Sequence, residues 1–385
     1  MGEPSWSIYG SPFLASKLSR RTFVKAGAAA AVVVATGGLN RIERVFAQSK
    51  GTLNLFTWEG YAPAPLVKKF ETETGYKVNV GFYPSNGELI SKLKAAKATG
   101  YDLVQPSVTL IPAAMDSDLY QPIDPGRIAN FKNVIPSMVE ASGQLGGMFK
   151  GKRYGLPFDW GTEGISYNTK KITTRPTSFA DIHKDEYKGR VTYRATFHVF
   201  VSTGLSMGLG NRMRDIYVSE KEAKPILDKV LATLISKKKN VKTYWKTAQE
   251  IESLLTTEEV YIAETWDGTG WKLDRAGQPI KFVAPKEGAL TWMDGFAIPK
   301  GAKNLDAAYA WINFMYDPRN AAMFTKESAY FTAVDKAGDH LEPAVKKQYG
   351  ESFSESDIKN LWWYGIEHSW WLDMFAKYVD KLKAA

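Results

Sequence analysis

The chain has 385 residues, with 50 Lys and Arg against 41 Asp and Glu, four histidines and no cysteine. The lack of cysteine excludes disulfides, thiolate metal sites and iron–sulfur clusters, and the histidines at 183, 198, 340 and 368 show no metal-ligand spacing, so no cofactor is expected. Residues 1–47 hold six of the basic and two of the acidic residues, which leaves the remainder at +5; its one dense basic run, Lys237-Lys238-Lys239, reads as a solvated helix end, against a nucleic-acid partner.

In chain order, Ser19-Arg20-Arg21-Thr22-Phe23-Val24-Lys25 is followed by an apolar run, Ala26 to Thr36, and then by Val45-Phe46-Ala47, a peptidase-like site. This pattern resembles a twin-arginine export signal over residues 1–47, which predicts a periplasmic protein exported already folded. The apolar run is shorter than the ~20 residues that a membrane-spanning helix needs.

Residues 48–385 exceed what one core usually supports, so two lobes are expected. Leu53 to Thr57 reads as a strand, and Pro65 to Gly75 as a helix with proline near its start and glycine after its end. Between them lies Trp58-Glu59-Gly60-Tyr61. Rings at a strand end of an open α/β sheet suit an organic cation, each contributing roughly 0.5–2 kcal/mol. They are equally compatible with packing between strand and helix.

A strand over Lys77 to Tyr83, a helix over Glu88 to Lys97 and a strand over Tyr101 to Gln105 continue a βαβ rhythm, which predicts a doubly wound α/β sheet. Tyr154 to Gly161 and Thr291 to Pro299 are candidate crossovers between lobes. Between them, strands are expected at Arg190–Arg194 and Val260–Glu264, and helices at Glu220–Ser236 and Ala248–Thr256. Beyond them, Ala307–Tyr316 is helical by periodicity. Residues 363, 367, 370, 371 and 374 would share one helix face near the C-terminus.

The strand ends gather Trp58, Tyr61, Ser107, Arg194, Thr196, Trp266 and Asp267, a set suited to a small-molecule cleft. Catalysis is harder to build. Gly204-Leu205-Ser206-Met207-Gly208 matches the nucleophile-elbow pattern only superficially, and Asp159 with Glu163 could serve an exported carboxylate-dependent hydrolase, the alternative to a binding protein.

Seven segments carry a family likeness. They are Phe56-Thr57-Trp58-Glu59-Gly60-Tyr61, Phe70-Glu71-Thr72-Glu73-Thr74-Gly75, Tyr83-Pro84-Ser85-Asn86-Gly87-Glu88, Tyr101-Asp102-Leu103-Val104-Gln105-Pro106-Ser107, Pro157-Phe158-Asp159-Trp160-Gly161-Thr162, Pro285-Lys286-Glu287-Gly288 and Trp292-Met293-Asp294. In this order they resemble the bacterial periplasmic spermidine/putrescine-binding proteins of ABC transporters. The resemblance implies a two-lobed periplasmic-binding-protein fold of the type II kind. The N-terminal lobe would comprise 48–157 plus 293–338 and the C-terminal lobe 158–292 plus 339–385.

The resemblance also implies a monomer that closes on its solute and delivers it to an inner-membrane permease and its ATPase. By position, Trp58, Tyr61, Trp266, Trp292 and Tyr330 match the aromatic walls, Ser107 a polar wall residue and Asp294 an acid that holds an ammonium group. The chain departs from the family where acids usually follow the strand near 192: Thr196 and Val199 stand there. An aromatic common two residues past the matched serine is replaced by Thr109. The expected ligand is therefore an amine, either a polyamine rescued by Glu59 or an ω-amino acid such as 4-aminobutyrate with its carboxylate on Arg194.

Overall fold

The computed structural model describes residues 50–353, 356, 357 and 360–385. The twin-arginine segment lies outside the described residues. The first sheet is parallel, with β1 (Thr52–Thr57) between β2 (Lys77–Phe82) and the two-residue β3 (Leu103–Val104). As the middle strand, β1 buries Leu53, Leu55 and Phe56, whereas β2 at the edge alternates in burial. The helix α1 (Ala64–Thr74) leads back from β1 to β2 and stops at Gly75, whose φ of 78° closes the helix through its N–H on the Glu71 carbonyl. The helix α2 (Asn86–Ala95) starts on Ser85, whose hydroxyl accepts from the Glu88 amide at 3.2 Å.

The second sheet is built on β4 (Leu156–Asn168), thirteen residues long and buried almost throughout. Downstream lie β5 (Val191–Tyr193), α3 (Phe197–Ser206), α4 (Glu220–Ser236), β6 (Val241–Tyr244) and α5 (Ala248–Thr256). They are followed by β7 (Ile262–Trp266), α6 (Asp267–Arg275), β8 (Ile280–Val283) and β9 (Leu290–Phe296). Strands β7, β8 and β9 all pair antiparallel with β4, while β5 pairs parallel with β7 and β6 parallel with β5. The doubly wound expectation thus holds as a mixed sheet with one long antiparallel spine.

The two candidate crossovers pair with each other: Gly161 lies opposite Trp292 and Asp159 opposite Asp294 in the β4–β9 ladder, which shifts register between Asp294 and Gly295. Past that bulge the chain joins the first sheet, where Val104 and Ala297 exchange both backbone hydrogen bonds at 2.9 Å. The chain beyond β9 therefore links the second sheet to the first.

The C-terminal expectation fails in part. Trp362–Trp363 forms a short strand, β10, parallel to Leu290 and Thr291, and the C-terminal helix α7 (Ser369–Ala384) starts only at Ser369, so 363 and 367 lie on no helix face. Pairing with β9 overrides the periodic pattern, and Arg214 secures it by donating to the Trp363 carbonyl while stacking over Trp362 at 3.8 Å. The Gly204–Gly208 run lies at the end of α3, with the Ser206 hydroxyl donating to the Thr203 carbonyl, so no elbow forms.

Candidate functional site

A cleft of about 720 Å³ opens at the ends of β1, β5, β7 and β9, within the range usual for small-molecule sites. Ten of the residues singled out from the sequence line it, namely Trp58, Glu59, Tyr61, Ser107, Arg194, Thr196, Trp266, Trp292, Asp294 and Tyr330, whereas Asp267, gathered with them, does not. Glu59 is exposed at the rim. Val199 is fully buried in α3 and is not among the lining residues.

Asp294 is the best-anchored acid. Ser107 Oγ donates to its Oδ1 at 2.6 Å and Tyr61 Oη to its Oδ2 at 2.8 Å. Asn86 Nδ2 in turn donates to Ser107 Oγ at 3.0 Å, so the first turn of α2 orients the serine. Aromatic rings surround this point. Tyr330 meets Trp292 edge-on at 5.1 Å and Tyr61 at 6.0 Å, and Trp58 leans on Tyr83 at 4.8 Å. Two glycines let the rings lie flat on the backbone: a Cβ on Gly161 would meet Trp292 Cζ2 at 2.5 Å, and one on Gly268 would meet Tyr330 Cε1 at 2.8 Å.

Arg194 faces the cleft with a partner already in place. Its Nη2 donates to Glu163 Oε1, both side chains are almost fully buried, and its guanidinium stacks over Trp266 at 4.5 Å and Trp245 at 5.2 Å. His198 lies 3.4 Å from the same Glu163 oxygen and bonds Thr196 Oγ1 at 2.7 Å. Burial, and then the Arg194 charge, hold this imidazole well below its ordinary range, so it is neutral at pH 7. Asp159 and Glu163, the two carboxylates considered for a hydrolase, are both buried. Asp159 has no hydrogen-bond partner on either oxygen among the described residues, and burial followed by the Asp294 charge raises its carboxyl well above the usual range. Asp267 accepts from the amide and hydroxyl of Thr162 at 2.8 and 2.9 Å; it ties α6 to β4.

Sequence reasoning missed Glu163 as the partner of Arg194, His198, and Glu367, which lines the cleft from the turn before α7 and accepts from Thr109 Oγ1 at 2.7 Å. The acids absent at 196 and 199 are thus offset by acids from other segments. The aromatic run at 362–364 was the one signal near Glu367.

Burial dominates the titration of these acids, pushing Asp294, Asp267 and Glu367 up to about 7 and Glu264 up to about 8. Unfolded carboxyls titrate near pH 4. Between those values the folded protein holds protons that the unfolded chain has released, so this contribution to stability is fully present below about pH 4 and lost as pH rises through about 7 to 8. The ligand-free protein should therefore melt at progressively lower temperature between about pH 5 and about pH 8. Thermal melts across that window check this; a melting temperature that rises towards pH 8 contradicts it.

The family described as bacterial extracellular solute-binding protein matches residues 65–350. The spermidine/putrescine-binding periplasmic protein of Escherichia coli is 30% identical over 346 residues, covering 88% of this chain and 93% of its own. A putrescine/cadaverine-binding protein of Pseudomonas aeruginosa is 30% identical over 314 residues, covering 76% and 82%. The solved spermidine/putrescine ABC transporter substrate-binding protein of Streptococcus pneumoniae superposes with a TM-score of 0.68 at 26% identity, covering 87% of this chain and 99% of that one. Fold, cleft and likeness agree: the chain belongs to the bacterial extracellular solute-binding proteins, which serve ABC transporters by binding solute and are not enzymes.

Proposed function

We propose that this protein captures a polyamine-class solute in the periplasm and hands it to an ABC permease and its ATPase. The observation that carries the reading is Asp294: a buried carboxylate held by Ser107 and Tyr61 and walled by aromatic rings, with no basic side chain paired to it among the described residues. A buried anion in that state costs several kcal/mol until a cation neutralises it. An ammonium group supplies the charge, and Trp58, Trp292, Tyr330 and Trp266 supply ring faces for it and for the methylene chain.

The names of relatives in Escherichia coli and Pseudomonas aeruginosa, which refer to spermidine, putrescine and cadaverine, support the same class. An ω-amino acid such as 4-aminobutyrate is the second reading, favoured by one fact: Arg194 lines the cleft and its buried Nε has no partner among the described residues. Glu163 already neutralises that guanidinium, which weakens its pull on a ligand carboxylate. Glu59 at the rim and Thr196 at the start of α3 complete the proposed contacts.

Closure would be a hinge motion of two lobes, 48–157 plus 293–338 and 158–292 plus 339–385, with the paired strands β4 and β9 as the hinge. Export through the twin-arginine route and a monomeric state belong to the same proposal. A thermal-shift panel of putrescine, cadaverine, spermidine, 4-aminobutyrate, choline, neutral amino acids and sugars tests the ligand class. Ligand linkage should raise stability by about 2.7 kcal/mol at a hundredfold excess over Kd for the polyamines. A shift by sugars or neutral amino acids with none by the amines refutes the reading.

A further inference from the structure

Two carboxylates meet the cleft from anchors on one short segment. Ser107 donates to Asp294, and two residues later Thr109 Oγ1 donates to Glu367 Oε1 at 2.7 Å. The Glu367 amide returns a bond to the Thr109 carbonyl at 2.8 Å, which clasps the turn before α7 to the 107–109 segment. Glu367 is 2% exposed, and among the described residues no Lys, Arg or His pairs with it and its Oε2 has no hydrogen-bond partner. Around it lie Tyr364 and Trp371, both packed edge-on against Phe197 at 5.1 and 4.8 Å. The two acids are close enough for the Asp294 charge to disfavour ionisation of Glu367.

Two buried acids without a resident counter-ion form an arrangement that an incoming ligand with two positive charges relieves and a singly charged one relieves only in part. We propose that Glu367, clasped by Thr109, is a second ammonium site of this cleft and makes it select amines that carry two or more charges over monoamines. Thr109 supplies the hydroxyl that fixes the Glu367 carboxyl. The inference rests on Asp294 as the first ammonium site. Glu367 would then take the role that the uncharged Thr196 and Val199 leave open.

The test is calorimetric titration of putrescine and 1-aminobutane, which share a four-carbon chain and differ by one ammonium group, into wild type, Glu367→Gln, Thr109→Val and Asp294→Asn. Glu367→Gln should weaken putrescine about tenfold or more and leave 1-aminobutane nearly unchanged, because a hydrogen bond to a charged partner is lost only for the diamine. Gln keeps an oxygen for Thr109 to donate to, and a melting scan of each variant confirms folding. Thr109→Val, which keeps the carboxylate and loses its anchor, should weaken putrescine selectively but less. If Glu367→Gln leaves the preference for putrescine over 1-aminobutane intact, or weakens both amines equally, the second site is refuted. If Asp294→Asn binds both amines as wild type does, the first site fails instead, a distinct result.

Discussion

Asp294→Asn should abolish high-affinity amine binding while leaving the empty protein folded and no less stable. The substitution preserves shape: one of the two hydroxyls keeps an oxygen to donate to and the other rotates to accept from the new amide nitrogen, but the negative charge is gone. An ammonium group buried among Trp58, Trp292 and Tyr330 then lacks its counter-ion. Truncating one partner of a buried charged pair costs about 2–5 kcal/mol, or about 30-fold to several thousand-fold in Kd. The effect on stability has the opposite sign. Burial pushes the Asp294 carboxyl up to about 7, so at pH 8 the empty cleft holds a strained anion that Asn removes. Binding by calorimetry and melting by circular dichroism, on one preparation, should therefore move in opposite directions. Affinity within threefold of wild type would show that the ammonium lies elsewhere.

Glu163→Gln should be among the most damaging single changes to stability in the chain. Arg194 packs against Trp245 and Trp266 with Glu163 as the charged partner of its Nη2, and its Nε has no partner among the described residues. Removing one member of a buried pair leaves an uncompensated charge and typically costs about 3–5 kcal/mol. His198 cannot help, since it is neutral and a donor or acceptor only. Denaturant unfolding should show a lower midpoint at unchanged slope, the mark of a stability change without a change in exposed surface. The double variant Glu163→Gln/Arg194→Met should recover most of the loss, because replacing both members with uncharged groups removes the orphan charge. A neutral Glu163→Gln would mean that water or a ligand, rather than Glu163, carries the Arg194 counter-charge.

Local signals made parts of this fold legible. Helices at Glu220–Ser236 and Ala248–Thr256 have the bounds the sequence suggests, because Ser219 and Thr247 each cap the amide three residues on, and Glu250 returns the bond to Thr247. The strand at Trp362–Trp363 was illegible for the opposite reason: tryptophans at helical spacing describe a face only if the chain is helical there, and the contact with Thr291 that prevents this is 72 positions away. Trp58, Tyr61 and Trp266 could be read because they sit at recognisable strand ends, whereas Trp292, Tyr330 and Asp294 came only from the family likeness. Two further acids of the cleft could not be read. Glu163 meets Arg194 across 31 residues and Glu367 meets Thr109 across 258, and neither pair leaves a local pattern. Arg194 was expected in the cleft and is there, but the neighbour that neutralises it is visible only in three dimensions.

The central claim is that a cationic amine, seated on Asp294, is what this cleft is built to hold. Titrating putrescine, spermidine and 4-aminobutyrate into the wild-type protein by calorimetry at neutral pH tests it most directly. The account predicts saturable one-to-one binding of putrescine or spermidine, at least tenfold tighter than 4-aminobutyrate, the factor that about 1.4 kcal/mol provides. Tighter binding of 4-aminobutyrate than of either polyamine, or no heat with any of the three, would contradict it.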